Sequence, residues 1–193
     1  MHHRAFVRLT LLLFLPLPSL AQETDENAIK NRAGNAQVAE VMRSFQGRGV
    51  QSDGSSPTPP KEALKRFRMK QGYAIDLVAS EPDISQPLFL SWDSRGRMWV
   101  VQYRQYQYPA GLKVVRYDHH LRAVFDKVPQ APPNHVPGKD RITFYSDTDG
   151  DGLYDSHKDV ITGLNIASSV AVGRGGIWVL NPPYLLFYPD ADR

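Results

Sequence analysis

The stretch SRGRMWVV, residues 94–101, decides the fold, because it recurs as GRGGIWVL at residues 173–180. Trp99 and Trp178 lie 79 positions apart, and Gly96 and Gly175 keep the same offset. A glycine turn followed by a short apolar run is typical of a β-hairpin. The recurrence therefore indicates a repeated β unit.

A second pair of segments extends this unit. ITFYSDTD, residues 142–149, corresponds to LLFYPDAD, residues 185–192, at an offset of 43. The unit comprises a glycine turn, a Trp strand, an aromatic strand and an Asp-x-Asp turn, and its first copy carries a Tyr- and Pro-rich insertion at 103–139. Such units are typical of propeller blades; two unrelated hairpins with similar turns are the alternative interpretation.

Short runs bounded by turn residues predict the remaining strands. The predicted strands are 74–79, 88–92, 98–102, 141–145, 159–162, 169–172, 177–180 and 184–188. No long helical pattern follows Phe67, so the fold class is all-β, and the repeat favours a propeller over a sandwich or barrel. About two blades are recognisable where propellers have about 4–8, so we expect a partial propeller that is inactive by itself.

The chain begins with the features of a cleavable secretory signal at 1–21. A basic start with Arg4 and Arg8 precedes the apolar run 9–17, and the small residues Ser19 and Ala21 follow at signal-peptidase spacing. A membrane anchor is the alternative, but spanning takes about 20 apolar residues. We expect a periplasmic or extracellular protein with no transmembrane segment after cleavage.

Residues 22–58 are predicted to be a polar helical and linker region, and 59–193 the propeller part. Helical spacing predicts a helix over 36–45, and Thr58 is placed to cap a second helix over 60–67. The basic residues of that second helix suit a solvated face better than a nucleic-acid or lipid surface. The net charge of +3 does not argue for nucleic acid, and the absence of cysteine excludes disulfides, thiolate metal sites and covalently attached haem within these residues.

An acidic loop at 147–155 predicts a structural calcium site. Its sequence DTDGDGLYD follows the Asp-x-Asp-x-Asp-Gly arrangement of calcium loops, whose alternate residues aim oxygen atoms at the ion. Lys158 stands where an EF-hand has its bidentate Glu, so the loop is not an EF-hand. A solvated acidic turn is the alternative, although the carboxylates would then repel one another. The predicted ligands are Asp147, Asp149, Asp151, the Leu153 carbonyl, Asp155 and Asp159.

Segments 59–106, 138–164 and 173–192 resemble, in order, the membrane-bound dehydrogenase family known mainly from planctomycete-type bacteria. The propeller of that family is related to soluble quinoprotein glucose and sorbosone dehydrogenases. The resemblance implies an exported six-bladed propeller, often followed by helical repeats and a c-type cytochrome domain. It also implies pyrroloquinoline quinone as a cofactor, haem c if a cytochrome domain follows residue 193, and membrane association through that missing part.

No catalytic or cofactor-binding residue can be assigned from the sequence. His119, His120, His135 and His157 suit surface loops better than a catalytic base. The tyrosines of 103–108 could line a sugar- or quinone-stacking surface or simply pack at a blade edge, and both interpretations stand.

Two functions follow. The first is an exported dehydrogenase that oxidises a sugar-like or alcohol substrate and passes electrons to a quinone or cytochrome partner. The second is a non-catalytic, calcium-stabilised propeller that serves as a binding or scaffold module. A Cys-x-x-Cys-His motif beyond residue 193 would favour the first.

Overall fold

The computed structural model describes residues 20–44 and 56–189, where three helices precede nine strands. Their bounds are α1 Leu20–Arg32, α2 Ala36–Ser44, α3 Pro60–Leu64, β1 Pro87–Trp92, β2 Met98–Gln102, β3 Val114–Tyr117, β4 Ala123–Phe125, β5 Asp140–Ser146, β6 Ser156–Leu164, β7 Ser169–Gly173, β8 Gly176–Asn181 and β9 Tyr184–Pro189. Apart from its last two residues, the predicted signal 1–21 lies outside this part of the chain. None of the helices described here has the length and apolar character needed to span a membrane.

Four antiparallel strands form the first sheet, in the order β1-β2-β5-β6. The predicted hairpin is confirmed, with β2 at its predicted bounds and Trp92 opposite Met98 across the turn. All five residues of β2 are buried, because strands flank β2 on both sides and side chains cover both faces of the sheet.

The second sheet repeats the register of the first with three antiparallel strands, in the order β7-β8-β9. Trp99 lies opposite Phe144 in the first sheet, and Trp178 lies opposite Phe187 in the second. The strands on which the sequence repeat was based therefore pair in the same way in both sheets. The chain is mostly β, as predicted.

The main hydrophobic core lies between these two sheets. Trp99 and Ile142 of the first sheet pack in one buried cluster with Val170 and Val179 of the second. Where the sheets meet, the Ser91 hydroxyl lies 3.4 Å from the Val170 carbonyl oxygen. Burial of these side chains, each worth about 1.5–3 kcal/mol, joins the two sheets.

The prediction of a strand at 74–79 is wrong: this run forms no strand and pairs with none of the strands in the described residues. It leads into an irregular segment that covers the back of the first sheet, where Ala79 and Ile84 pack against Met98 and Tyr145. A β-strand is stabilised by backbone hydrogen bonds to a neighbouring strand, so an apolar run without such a neighbour has no reason to adopt the strand conformation. The third helix is also shorter than predicted, ending at Leu64 instead of Phe67.

Two further elements were not predicted. β3 and β4 form a hairpin within the insertion, and α1 runs from the end of the predicted signal into the region predicted to be polar helical and linker, ahead of the helix predicted there at 36–45. These elements pack together: Ala33 and Val38 share a buried cluster with Val114, and the Gly34 N–H donates to the Val114 carbonyl at 2.7 Å. The described part of 22–58 therefore docks onto the insertion.

Candidate metal centre

The acidic loop connects β5 to β6 at the end of the first sheet that also holds the β1–β2 turn. Ser146 lies opposite Ser156 at its base, and the Asp155 N–H donates to the Ser146 carbonyl at 3.1 Å. The antiparallel pairing of β5 with β6 thus fixes the positions of both ends of the loop.

Three of the predicted ligands converge in this loop. Carboxylate oxygens of Asp147, Asp149 and Asp151 all lie within 4.8 Å of one another. Calcium–oxygen distances of about 2.3–2.6 Å place opposite ligands about 4.6–5.2 Å apart. The three oxygens are therefore close enough to share one calcium ion.

Backbone hydrogen bonds shape the loop around Asp147. Its carboxylate accepts the N–H groups of Gly150 at 2.7 Å and Gly152 at 2.9 Å. Gly152 has φ +91°, a left-handed conformation that favours glycine. Bonds from Gly152 and then Gly150 hold the pKa of the Asp147 carboxyl below its usual value, so the group stays ionised and suited to a cation.

Asp149 and Asp151 hold the next two residues of the turn in the same way. Asp149 Oδ1 accepts the Asp151 N–H at 3.2 Å, and Asp151 Oδ1 accepts the Leu153 N–H at 2.7 Å. Each bond uses Oδ1, so it leaves Oδ2 of that carboxylate for a cation.

Asp155 and Asp159 are not brought to this cluster. The Asp155 carboxylate accepts the backbone N–H of Thr148 at 3.0 Å and its hydroxyl at 2.6 Å, which ties the loop across its base. Asp159 lies on β6, where it is ion-paired with Arg141 and accepts the Thr143 hydroxyl. The three-carboxylate cluster would need waters and backbone carbonyls, such as that of Leu153, to complete a calcium shell of 6–8 oxygens.

Sequence reasoning did not identify the role of Tyr154. Its hydroxyl accepts the Trp92 indole N–H at 2.9 Å and donates to the Gly96 carbonyl at 3.2 Å. Tyr154 thereby links the acidic loop to the turn between β1 and β2. No spacing in the sequence indicates this contact, because it joins segments that only the folded sheet brings together.

The histidines are dispersed over the described residues. The His119 and His120 rings contact each other at the β3–β4 turn, with centroids 3.8 Å apart and planes tilted by 47°, and His157 lies on β6 beside Tyr145. His135 Nε2 is 2.8 Å from the Gly163 carbonyl oxygen, and its buried Nδ1 has no hydrogen-bond partner within the described part of the chain.

The tyrosines of 103–108 divide into two environments. Tyr103 and Tyr106 meet edge to face with centroids 5.9 Å apart. The Tyr108 hydroxyl instead lies 3.1 Å from that of Tyr117 and packs beside the helices. The segment is therefore not one continuous stacking surface.

One family matches the chain: a domain of unknown function, DUF7133, over residues 59–193. Neither a curated protein nor a solved structure matches the chain.

Proposed function

We propose that this chain, which belongs to the DUF7133 family of domains of unknown function, is part of an exported, calcium-stabilised β-propeller that serves as a binding or scaffold module. The convergence of Asp147, Asp149 and Asp151 in a loop held by its own backbone carries the proposal. The propeller is supported by two antiparallel sheets of equal register that pack face to face. The secretory features of residues 1–21 support export, for which an N-terminus at Gln22 in the mature protein is the test.

Calcium would act here by tying two turns together. Without a cation, three neighbouring carboxylates repel one another and favour a more open loop. Tyr154 of this loop contacts Trp92 and the Gly96 carbonyl, so a calcium ion that held the loop closed would also hold the β5–β6 and β1–β2 turns together. Three converging carboxylates without a bidentate Glu suit the weaker sites of extracellular modules, with Kd of about 10⁻⁴–10⁻³ M.

Calorimetric titration and thermal unfolding of the chain with calcium and with chelator test this proposal. The Asp149→Asn/Asp151→Asn variant removes two charges but can still accept the N–H groups of Asp151 and Leu153. We expect it to fold and to lose the calcium response. Asp76→Ala, at an exposed carboxyl outside the loop, is the control and should respond like the wild type. A wild-type chain whose heat and midpoint ignore calcium would leave only a solvated turn.

The dehydrogenase that the sequence resemblance implies is the second candidate. The observation that favours it is that the three resembling segments contain the strands of the repeat: β2 lies in the first segment, β5 in the second, and β8 and β9 in the third. Dye-linked oxidation of sugars and alcohols with pyrroloquinoline quinone and calcium added is the test. Quinone-dependent turnover would favour this candidate over the scaffold module; its absence in folded, calcium-loaded protein would favour the module.

A further inference from the structure

Three connections between strands come together at the end of the first sheet that lies opposite the acidic loop. The insertion precedes β5 and the acidic loop follows it, so the two lie at opposite ends of that strand. The insertion, the β6–β7 connection and the β8–β9 turn all line one apolar groove, whose residues include Leu112, Phe125, Ile166 and Pro182. Binding residues are disproportionately found on such connections, so this end of the molecule is a candidate site separate from the calcium loop.

A more polar cavity adjoins this groove, because residues 127–129 line both. We call it the insertion cleft; it lies between residues 110–112 and residues of 127–136, and its volume is about 250 Å³. Its polar lining residues are Lys127, Gln130 and Asn134. Ordinary ligand pockets have volumes of about 300–1,000 Å³, so the insertion cleft suits a small molecule or the end of a chain.

Hydrogen bonds to the rest of the fold hold the walls of the insertion cleft. Ala110 is bound at both backbone groups by Asn165, whose Oδ1 accepts the N–H and whose Nδ2 donates to the carbonyl, each at 2.9 Å. The Tyr184 hydroxyl of β9 donates to the Pro129 carbonyl at 2.8 Å. His135, within the Pro-rich part of the wall, is held to β6 in the same way. Because these walls are fixed in advance, binding does not bear the entropic cost of ordering them.

The polar side chains of the insertion cleft are free to meet a ligand. In the part of the chain that the structure describes, Lys127 forms no ion pair, and the side chains of Gln130 and Asn134 form no hydrogen bond. No carboxylate lines the cleft or the adjoining groove. One ammonium group with two neutral amides beside an apolar groove favours an anion over a cation.

We propose that the insertion cleft binds a carboxylate that carries an apolar group. Lys127 supplies the opposite charge, Gln130 and Asn134 supply neutral N–H donors, and the adjoining groove takes the apolar group. This chemistry belongs both to free apolar acids and to the C-terminus of a peptide. The proposal rests on the binding module proposed above, for which it names a ligand, but it does not involve the calcium loop at the other end of the sheet.

Amide NMR of the full chain, titrated with benzoate and with its neutral analogue benzamide, tests the proposal. Benzoate should shift the amide signals of Gly111 and Asn134, and its affinity should fall as salt is added, because salt screens exposed charges. Benzamide presents the same ring without the charge and should bind several-fold more weakly. N-acetyl-phenylalanine, which ends as a peptide does, separates the two sources: an affinity above that of benzoate assigns the cleft to peptide C-termini, and a lower one to free acids.

Substitution of exposed lining residues gives the sharper result. Lys127→Gln removes the charge at similar length and should weaken benzoate binding by up to about fivefold, the value of an exposed ion pair. Lys127→Arg keeps the charge and should bind nearly as the wild type does. Gln130→Glu adds a negative charge at the cleft and should also weaken binding. Lys61→Gln, at an exposed lysine of α3, is the matched control and should leave binding unchanged.

Three results would overturn the proposal: benzoate shifts that map away from the cleft, equal affinities for benzoate and benzamide, or an unchanged affinity in Lys127→Gln. Thermal unfolding of the same samples with calcium distinguishes this failure from a failure of the calcium site. A chain that calcium stabilises but that does not bind benzoate would refute the insertion cleft alone. A chain that binds benzoate at the cleft but ignores calcium would refute the calcium site alone.

Discussion

Asp93 shows how one residue fixes a hairpin of the repeat. Its Oδ1 accepts the N–H groups of Arg95 and Arg97, while its Oδ2 accepts Arg97 Nε at 2.7 Å and Trp99 Nε1 at 2.9 Å. Burial opposes ionisation, but the bonds from Trp99 and Arg97 outweigh it and lower the pKa of the Asp93 carboxyl. The sequence predicted the turn from Gly96; it could not predict that the preceding Asp holds the repeat's tryptophan.

Replacing Asp93 with Asn should lower the free energy of unfolding by about 1–3 kcal/mol. The amide keeps one acceptor but leaves Arg97 and the Trp99 indole without their shared partner. A lowered carboxyl pKa in the folded state means that this stabilisation is present at neutral pH and is lost as the pH falls below about 4. Urea unfolding at several pH values should therefore show the wild-type advantage shrinking in acid.

Asp118→Asn is the matched control for that experiment. The Asp118 carboxylate accepts the backbone N–H groups of His120 and Arg122 and the Nε–H of the Arg122 guanidinium, as Asp93 does with its neighbours, but it accepts no hydrogen bond from a tryptophan indole. The Asp118→Asn variant should lose less free energy of unfolding than the Asp93→Asn variant. An equal loss in both variants, or a difference between wild type and Asp93→Asn that persists in acid, would contradict this account.

The same comparison identifies a strained leucine. Leu121 has φ +62° at the turn position where Gly96 has φ +76°, and both N–H groups donate to the carbonyl of the preceding Asp. A left-handed conformation costs a non-glycine residue about 1–2 kcal/mol, more than the entropy that glycine adds to the unfolded chain. Leu121→Gly should thus raise the free energy of unfolding by up to about 1 kcal/mol. Gly96→Ala, where an added Cβ meets no atom within 4 Å, should lower it; a stabilised alanine variant would refute the explanation.

At the scale of elements, sequence prediction succeeded where an apolar run has a strand partner of its own kind. β2, β5, β8 and β9 carry the Trp and aromatic signature, and their bounds were predicted to within one residue. The hairpin β3–β4 was missed because its strands are short and its turn has Leu121 in place of glycine. The helix α1 was missed because LAQETDENAIKNR has no apolar stripe, so its position is decided by contacts with α2 and the insertion.

For the candidate metal site, the sequence identified the acidic loop but not the placement of Asp159, whose carboxylate is paired with Arg141 across the sheet.

Tyr154→Phe should uncouple the acidic loop from the β1–β2 turn. The variant keeps the ring in its apolar contact but loses the hydroxyl that joins Trp92 to Gly96. Because Trp92 is exposed and bonded to that hydroxyl while Trp99 is buried, calcium should change the indole emission of the wild type and change it much less in the variant. Calcium affinity itself should stay nearly unchanged, since Tyr154 is not a predicted ligand. An unchanged emission response in the variant would show that the loop acts on the sheet by another route.

At the scale of the molecule, the described residues form three buried packing centres, and buried polar groups join two of them. One lies between the two sheets, and the other lies where α1 and α2 meet β3. Asp140 connects them: its carboxylate accepts the N–H of Gln105 in the insertion at 2.6 Å and that of Ala167 before β7 at 3.0 Å. Burial raises the pKa of Asp140, which is the cost of placing a carboxylate there. No sequence pattern indicated this connection, because hydrophobic periodicity identifies the buried faces of helices and strands and not the partners of buried polar groups.

Substitutions in these two packing centres should therefore destabilise different parts of the molecule. Ile142→Ala removes a fully buried side chain from the core between the sheets and should lower the free energy of unfolding by about 2–5 kcal/mol. Hydrogen exchange should then speed up in both sheets together, because each covers the other's apolar face. Val38→Ala, in the helical centre, removes about two methylene equivalents, worth about 1.5 kcal/mol, and should speed exchange in α1, α2 and the β3–β4 hairpin while the sheets stay protected. If Val38→Ala exposed the sheets to the same extent, Asp140 and its partners would couple the two centres into one cooperative unit.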